Sequence, residues 1–430
     1  MNTSPVRHLT RRSFLGAAGI TGVAGMAASG CAGGLKASAG GTAQVIKIGY
    51  ISPKTGTLAV FTESDAYVLA RIRNAVSKGL RIGGKNYSVE IITKDSQSSS
   101  ARAASAAAEL IQQDRVDFLL ATSTPDTTNP VSDQAEASGV PCLATICPWE
   151  MWFYTRGGSA TKTFTYTYLY FIGVQEETDL FSGLWQRIAS NHVVGTLWPN
   201  DVDGDVYRKY VSPKVSQLGW QLVASAAYPD GMQDFTSVIS TFKSHGVEIL
   251  QATPIPPDWV TFWRQSEQNR FKPRLACVAK ALLFPSVADS LGPLAQNLVA
   301  PAWWAPSMPY RSSLDGTSAA AFASGYLTST GRQWTQPMGF NYAIFEIAIA
   351  ALRASGDPRD AAAVAAAIGR QKGEVMTGPF DFTTGPVKNV ATAPDFLGQW
   401  RAASSGGYNL VIVDNSMNPA IPVQGSLQLL

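Results

Sequence analysis

Histidine and cysteine are scarce in this chain, and their scarcity excludes several kinds of site. Among 430 residues, 3 are histidine and 4 are cysteine. His192 and His245 have no neighbours in sequence that would complete a Ser/His/Asp triad or a metal-ligand cluster. G-x-S-x-G and P-loop motifs are also missing. We therefore expect no enzyme, cofactor or metal; a hydrolase built on paired carboxylates, which needs no motif, is the remaining enzymatic alternative.

Long apolar runs and basic clusters are also missing beyond the N-terminal segment. The most apolar later stretch, residues 339–352, contains Asn341 and Glu346. It is shorter than the roughly 20 apolar residues of a membrane span. The net charge is +3, but three arginines belong to the N-terminal segment, so the remainder is close to neutral. With no Lys/Arg cluster, we expect no nucleic-acid partner.

The N-terminal segment has the pattern of an export signal. Arg11 and Arg12 precede a weakly apolar run, residues 14–30, that contains five glycines. The glycines make it a poor membrane span, whereas paired arginines before a modest apolar run resemble the twin-arginine signal, which a receptor reads. We therefore interpret residues 1–31 as a targeting segment.

Cys31 ends that segment and follows Ala28-Ser29-Gly30. This resembles a bacterial lipobox, in which the cysteine is acylated, although a leucine is usual where Ala28 stands. Cleavage after Ala39, in Ala37-Ser38-Ala39, is the alternative. Residues 32–43 are rich in glycine and alanine and suit a flexible tether. We expect an exported domain that lipid on Cys31 holds at the outer face of the cytoplasmic membrane.

Three cysteines remain after Cys31: Cys142, Cys147 and Cys277. An odd number cannot pair completely within one chain. A local disulfide between Cys142 and Cys147 is open in an oxidising compartment.

The rest of the chain, about 400 residues, alternates short apolar strands with helical segments. Such alternation predicts an α/β fold with parallel sheets covered by helices, and the length suits two domains. Strands are expected at 45–51, 87–93, 116–121, 140–145, 163–171, 192–198, 220–226, 247–253, 274–279, 379–387 and 408–413. Helices are expected at 61–80, 101–114, 130–139, 176–191, 205–218, 235–246, 257–269, 317–330, 337–354 and 358–369. We assign 44–168 and 305–376 to lobe one, and 169–304 and 377–430 to lobe two.

Three stretches carry a resemblance to a known family: "IKIGYISPKTGTLAVF" (46–61), residues 83–124, and "TGPFDFTTG" (377–385). Their order and spacing resemble the branched-chain amino acid-binding type of ABC-importer solute-binding proteins. The resemblance implies a type I periplasmic binding fold, with two Rossmann-like lobes joined by a multi-strand hinge. It also implies a monomer that binds a small molecule between the lobes and delivers it to ABC permease membrane subunits. A ligand sensor of the same fold that signals to a membrane partner is the runner-up.

Lobe one offers ligand contacts in loops that follow its strands. Phe61 is a candidate wall of the cleft, with a core position as the alternative. Ser123 and Thr124 end a strand where a helix begins. Their hydroxyls and the helix amides would suit a carboxylate, as well as ordinary N-capping.

The stretch 144–158 is a third candidate loop of lobe one and is dense in aromatic residues. The family resemblance places small hydroxylic or backbone contacts at Thr145 and Cys147. Trp149 is expected either to stack on the ligand or to fill the lobe interface.

Lobe two offers "LWPNDVDGDVYRKY" (197–210), in which we expect Trp198 and Asp203 at the tip of a strand-to-helix loop. A calcium loop is the weaker interpretation, because its distal glutamate is missing. The next loop, residues 252–259, has three prolines and few donors, which indicates a rigid wall.

Lys280 follows the strand at 274–279, where the family resemblance leads us to expect an acid. A lysine facing the cleft would favour a carboxylate ligand, either amino acid-like or an aromatic or branched acid. The alternative is that Lys280 points to solvent. Asp203 could still receive an ammonium group.

Overall fold

The computed structural model describes residues 44–404 and 406–430. The predicted signal, the tether and the lipidation of Cys31 lie outside the described residues and stay predictions.

The first sheet contains seven strands. They are β1 (Gln44–Ser52), β2 (Leu80–Ile82), β3 (Lys85–Asp95), β4 (Phe118–Thr122), β5 (Cys142–Thr145), β6 (Thr167–Tyr170) and β14 (Val390–Ala391). Their order across the sheet is β14-β6-β5-β4-β1-β3-β2. Only β2 runs antiparallel to its neighbour.

The second sheet also contains seven strands. They are β7 (Val193–Leu197), β8 (Gln221–Ala224), β9 (Ile249–Ala252), β10 (Leu275–Val278), β11 (Val299–Ala302), β15 (Phe396–Ala402) and β16 (Tyr408–Asp414). The order is β16-β15-β11-β10-β9-β7-β8, with β15 and β16 antiparallel at one edge. A separate hairpin joins β12 (Lys372–Val375) to β13 (Gly378–Asp381). The α/β fold with two mostly parallel sheets is confirmed.

Twelve α-helices lie in the described residues. They are α1 (Asp65–Ala75), α2 (Ser100–Glu109), α3 (Pro125–Ser138), α4 (Trp149–Thr155), α5 (Val174–Trp185), α6 (Val202–Gln217), α7 (Thr236–Ser244), α8 (Pro256–Gln268), α9 (Pro285–Leu291), α10 (Ala319–Thr330), α11 (Pro337–Ala354) and α12 (Ala361–Gly369). Short 3-10 helices cover Ala59–Thr62, Ala281–Leu283 and Gly292–Ala295, and a π-helical turn covers Leu110–Asp114.

The apolar helix α11 belongs to the core. It packs against α1, β2, β4 and β5, and it is buried on nearly every side, as expected for a helix that is apolar all round. Asn341 in its second turn accepts from Thr122 Oγ1 (2.7 Å) and donates to Asp65 Oδ1 (3.0 Å). No helix among the described residues has both the length and the apolarity that a membrane span requires.

The chain passes between the sheets three times: from β6 to α5, from β11 toward α10, and from β14 to β15. The expected lobe boundary after residue 168 falls inside β6. The segment 377–430, assigned to lobe two, includes β14, which pairs with β6 in the first sheet. β14 has only two residues, so no hydrophobic pattern marks it in the sequence. Lobe assignments beyond these strands stay predictions.

One local prediction needs correction, and one open alternative is resolved. The aromatic stretch 144–158 was expected to be a loop, but it contains α4, whose apolar side chains are buried. Pro148 at the N-cap starts this seven-residue helix, which is too short to show a period. Cys142, Cys147 and Cys277 are buried and free, so the local disulfide is not formed.

Candidate functional site

A cavity lies where the carboxyl ends of strands from both sheets meet. Its wall combines residues that follow first-sheet strands with residues that follow second-sheet strands. The lining residues are Phe61, Thr124, Ile146, Pro148, Phe171, Glu177, Asp203, Tyr207, Thr253, Lys280 and Trp303.

The topology of both sheets explains this position. In the first sheet, β1 lies between β3 and β4, so the connections after β1 and β4 leave toward opposite sides. In the second sheet, β7 lies between β9 and β8, so the connections after β7 and β9 also leave toward opposite sides. Open α/β sheets bind ligands at such switch points. The four connections contribute Phe61, Thr124, Asp203 and Thr253 to the wall.

The cavity is small. Its volume is about 30 Å³, and a water molecule needs at least about 10–15 Å³ on this measure. An organic ligand therefore requires that the lobes separate or that aromatic side chains turn aside. A larger cleft of about 260 Å³ lies beside Trp263, Phe271 and Leu430, but second-lobe residues alone line it.

Backbone strain is concentrated on the cavity wall. Thr124, Ile146 and Lys280 have φ values of 57°, 55° and 58°, and Ser123 beside Thr124 has φ 76°. Residues other than glycine rarely adopt a positive φ, and each such residue costs about 1–3 kcal/mol of stability. Such strain collects at binding and active sites.

Lys280 faces the cavity, but its charge is already paired. Its Nζ lies 3.0 Å from Asp201 Oδ2 and 2.5 Å from Asp203 Oδ2. Burial acts to lower the pKa of Lys280, yet the carboxylates of Asp203, Asp201 and Asp230 outweigh it and hold that pKa well above its usual value. The sequence-based argument that Lys280 makes the cleft locally positive is therefore wrong.

Asp126 adds a third carboxylate from the other lobe. It stands in the first turn of α3, and its carboxylate oxygen lies within 4.8 Å of those of Asp201 and Asp203. Three oxygens at this spacing could hold a metal ion, but the ammonium of Lys280 donates to two of the three carboxylates. Burial raises the pKa of Asp203 although Lys280 opposes the shift.

Glu177 brings a further carboxyl group to the wall from α5. Tyr207 on α6 donates its hydroxyl to Glu177 Oε1. Burial raises the pKa of Glu177, and the nearby acids Glu150 and Asp203 add to the shift. The cavity thus places two acids of raised pKa beside one paired lysine.

Three lining residues carry a buried polar atom that lacks a hydrogen-bond partner within residues 44–404 and 406–430. They are Thr124 Oγ1, Thr253 Oγ1 and Trp303 Nε1. A buried polar atom without a partner costs about 1–3 kcal/mol, and such atoms are rare in folded proteins. They are natural partners for a polar ligand.

Of the nine predicted ligand contacts, the structure places four on the cavity wall: Phe61, Thr124, Asp203 and Lys280. Ser123 is buried next to Thr124 but does not line the cavity. Phe61 also packs against Phe284 of the second lobe, so both interpretations of Phe61 apply.

The other four predicted contacts are engaged elsewhere. The hydroxyl of Thr145 donates to the carbonyl of Tyr170 (2.8 Å), and the thiol of Cys147 is buried near the carbonyl of Pro148. Trp149 on α4 is buried and packs against Tyr154 of the same helix. Trp198 is 1% exposed and donates to Gln251, so it belongs to the core and not to a loop tip.

Sequence reasoning missed several wall residues. Glu177 and Tyr207 lie inside predicted helices, and Phe171 ends a predicted strand. Thr253 also ends a predicted strand, and that position is a usable signal in an α/β fold. Trp303, which we expected on the hinge side and not as a ligand contact, follows β11, a strand that was not predicted.

The sequence profile of a family described as periplasmic binding proteins matches residues 45–407. The chain belongs to this family. Its branched-chain amino acid-binding type is the one that the resemblance indicated, and the sheets and the cavity between them agree with that family's fold.

Solved periplasmic binding structures share this fold at low identity. A leucine-binding protein from Thermotoga maritima has a TM-score of 0.71 and 17% identity, covering 87% of this chain and 99% of that one. A Rhodopseudomonas palustris solute-binding protein in complex with 3,4-dihydroxybenzoic acid has a TM-score of 0.71 and 16% identity, covering 87% and 99%. A Streptococcus pneumoniae transporter substrate-binding protein in complex with isoleucine has a TM-score of 0.70 and 15% identity, covering 86% and 100%.

Proposed function

We propose that this protein captures a small organic solute between its two lobes outside the cytoplasmic membrane and delivers it to the membrane subunits of an ABC importer. It acts as a binder and performs no chemistry on the solute. The observation that carries the proposal is the cavity at the strand ends of both sheets, which places Thr124 from one lobe opposite Asp203 and Lys280 from the other.

Three further features support a binding role. The chain belongs to the periplasmic binding protein family. Strained residues and unpaired hydroxyls converge on one buried wall, which suits a ligand that satisfies them. The predicted acylation of Cys31 would keep the protein near its permease, and we expect it to work as a monomer.

The sequence led us to expect an amino acid-like ligand or an aromatic or branched carboxylate. The structural relatives in complex with isoleucine and 3,4-dihydroxybenzoic acid make these two compounds suitable probes. The paired state of Lys280 removes the argument that had favoured a carboxylate.

The test is a thermal-shift screen of small organic solutes, followed by calorimetric titration of those that stabilise the protein. Thr124→Val removes the unpaired hydroxyl but keeps the β-branch at a positive-φ position. We expect it to weaken binding up to about tenfold, the worth of one hydrogen bond. Thr241→Val, on the exposed side of α7, is the matched control and should leave the affinity unchanged.

Two outcomes would contradict the proposal. If the bound solute is chemically converted during incubation, as followed by NMR, the protein is an enzyme. If a strain lacking the protein takes up that solute at the normal rate, the protein does not deliver it, and the sensor becomes the better account.

A further inference from the structure

The cavity wall offers no uncompensated positive charge among the described residues that line it. Lys280 is the one basic side chain on the wall, and Asp201 and Asp203 take two of its three donors. A ligand carboxylate would therefore compete with two aspartates for the same ammonium group. The wall is poorly suited to an anion.

Acidic groups are in excess around the same point. Glu177 and Asp203 line the cavity, and carboxylate oxygens of Asp126 and Asp201 lie within 4.8 Å of one of Asp203. Four carboxyl groups and one ammonium thus lie on or next to the cavity wall. In their ionised forms these carboxyl groups attract a positive ligand at short range and repel a negative one. Burial raises the pKa values of Glu177 and Asp203, and an arriving cation would favour their ionised forms.

Aromatic rings form much of the remaining wall: Phe61, Phe171, Tyr207 and Trp303. Trp303 and Phe171 meet edge to face, with ring centroids 4.6 Å apart. The faces of aromatic rings attract organic cations, and Trp does so most strongly. Rings also accept the methyl or methylene groups that surround such a cation.

The unpaired polar atoms add a second requirement. Thr124 Oγ1 and Thr253 Oγ1 can donate or accept, whereas Trp303 Nε1 needs an acceptor. A hydroxyl or amide group on the ligand satisfies these atoms without adding negative charge beside the acids.

Resting on the proposed function, we propose that the solute is a small organic cation, a primary or quaternary ammonium that carries a hydroxyl or amide group and no free carboxylate. The positive centre lies against Glu177 and Asp203 among the aromatic rings. The neutral polar group meets the threonine hydroxyls and the indole N–H.

The test is calorimetric titration of the purified full chain at pH 7. Choline and ethanolamine are the cation probes, and isoleucine and 4-hydroxybenzoate are the zwitterion and anion probes. The uncharged 3,3-dimethyl-1-butanol has nearly the shape of choline and isolates the contribution of charge. We expect a cation probe to bind, and choline to bind at least tenfold more tightly than the uncharged alcohol.

Variants locate the cation. Glu177→Gln keeps an acceptor for Tyr207 and should weaken cation binding at least tenfold. Asp203→Asn should do the same, but it also removes a partner of buried Lys280, so its thermal stability is measured alongside. Asp205→Asn is the matched control, because Asp205 lies on α6 with Asp203 but its side chain is 70% exposed.

Three results would overturn the inference. The first is failure of both ammonium probes to bind, whatever the other probes do. The second is equal affinity for choline and its uncharged analogue, and the third is cation binding that Glu177→Gln leaves intact. If isoleucine or 4-hydroxybenzoate binds in the cleft instead, the cation inference fails and the proposed function stands. The proposed function fails separately, through conversion of the solute or normal uptake without the protein.

Discussion

The ring of Phe61, which follows β1, packs edge to face against Phe284, which precedes α9 in the second lobe, with ring centroids 4.8 Å apart. Next to this pair, Ser286 Oγ donates to Glu63 Oε1 across the same gap (2.9 Å). Across the cleft, Lys209 on α6 stands over the ring of Tyr154 on α4, 5.5 Å from its centroid. These contacts join residues of the two lobes and belong to the closed arrangement of the cleft.

Removing the Phe284 ring should favour the open arrangement. An aromatic pair contributes about 0.5–1.5 kcal/mol beyond its buried area, and this pair joins the two lobes. We expect Phe284→Ala to increase the radius of gyration in small-angle scattering. Phe235→Ala removes a ring that packs with Tyr228 within the second lobe and is the control. An equal increase in both variants would contradict a role in closure.

Replacing Lys280 with methionine should destabilise the protein more at high pH than at low pH. The substitution leaves the buried Asp203 and the partly buried Asp201 without their cation, and breaking a buried pair typically costs about 3–5 kcal/mol. Burial raises the pKa of Asp203 to about 7, so at pH 5 this carboxyl group is protonated and most of the cost disappears. The measurement is the free energy of unfolding of Lys280→Met at pH 5 and pH 8.

The control for that prediction is Lys214→Met, which breaks the more exposed pair with Asp179. Exposed pairs contribute about 0–1 kcal/mol, so this variant should change little at either pH. A loss that is the same at pH 5 and pH 8 for Lys280→Met would contradict the pairing account.

Glu177 should make the protein lose stability as pH rises. Burial raises the pKa of Glu177 from 4.5 to about 8, so the folded state holds a proton that the unfolded state releases. The stabilisation is complete below pH 4.5 and is lost as pH rises toward 8. The slope from one proton is at most about 1.4 kcal/mol per pH unit.

Glu177→Gln should flatten that slope, because glutamine does not titrate. The titratable groups that influence the pKa of Glu177, or whose pKa values its charge influences, are Tyr207, Glu150, Asp203, Asp395 and Cys277. The measurement is the free energy of unfolding of both proteins from pH 5 to pH 9. Parallel curves for the two proteins would show that Glu177 does not carry the proton.

Gly173 lies in the connection from β6 to α5, where a side chain has no room. A Cβ there would lie 2.2 Å from Trp149 Nε1 and 2.1 Å from Glu176 Oε2. Gly173→Ala should therefore cost about 1–3 kcal/mol of stability, as overpacking does. Gly183→Ala, inside α5 with no atom near its Cβ, should instead stabilise by about 0.5–1 kcal/mol. The measurement is the melting temperature of each variant. If both substitutions lowered it, or both raised it, this account of the packing would be contradicted.

The sequence predicted the parts of the site that follow clear strands. Thr124 and Lys280 come directly after buried apolar strands, and the α/β pattern alone places such residues at the ligand-binding edge. Glu177 could not be found this way, because it lies inside the helix that follows a crossover between the sheets. Trp198 also follows a strand, yet its indole turns inward to Gln251, which only the packing reveals.

Charge compensation was the other limit of sequence reasoning. Asp201 and Asp203 stand 79 and 77 positions before Lys280 in the sequence. They pair with Lys280 because the loops after β7 and β10 meet at the carboxyl edge of the second sheet. The lysine alone indicated a positive cleft, whereas the folded chain makes the cleft acidic.

The most direct test of the binding role is the crystal structure of the protein with the solute that binds most tightly in the thermal-shift screen. The account predicts that the solute lies between the lobes, in contact with Thr124 from the first and with Asp203 or Glu177 on the facing wall. A solute bound instead in the surface cleft beside Trp263 and Leu430, with the cavity at the strand ends unchanged, would contradict it.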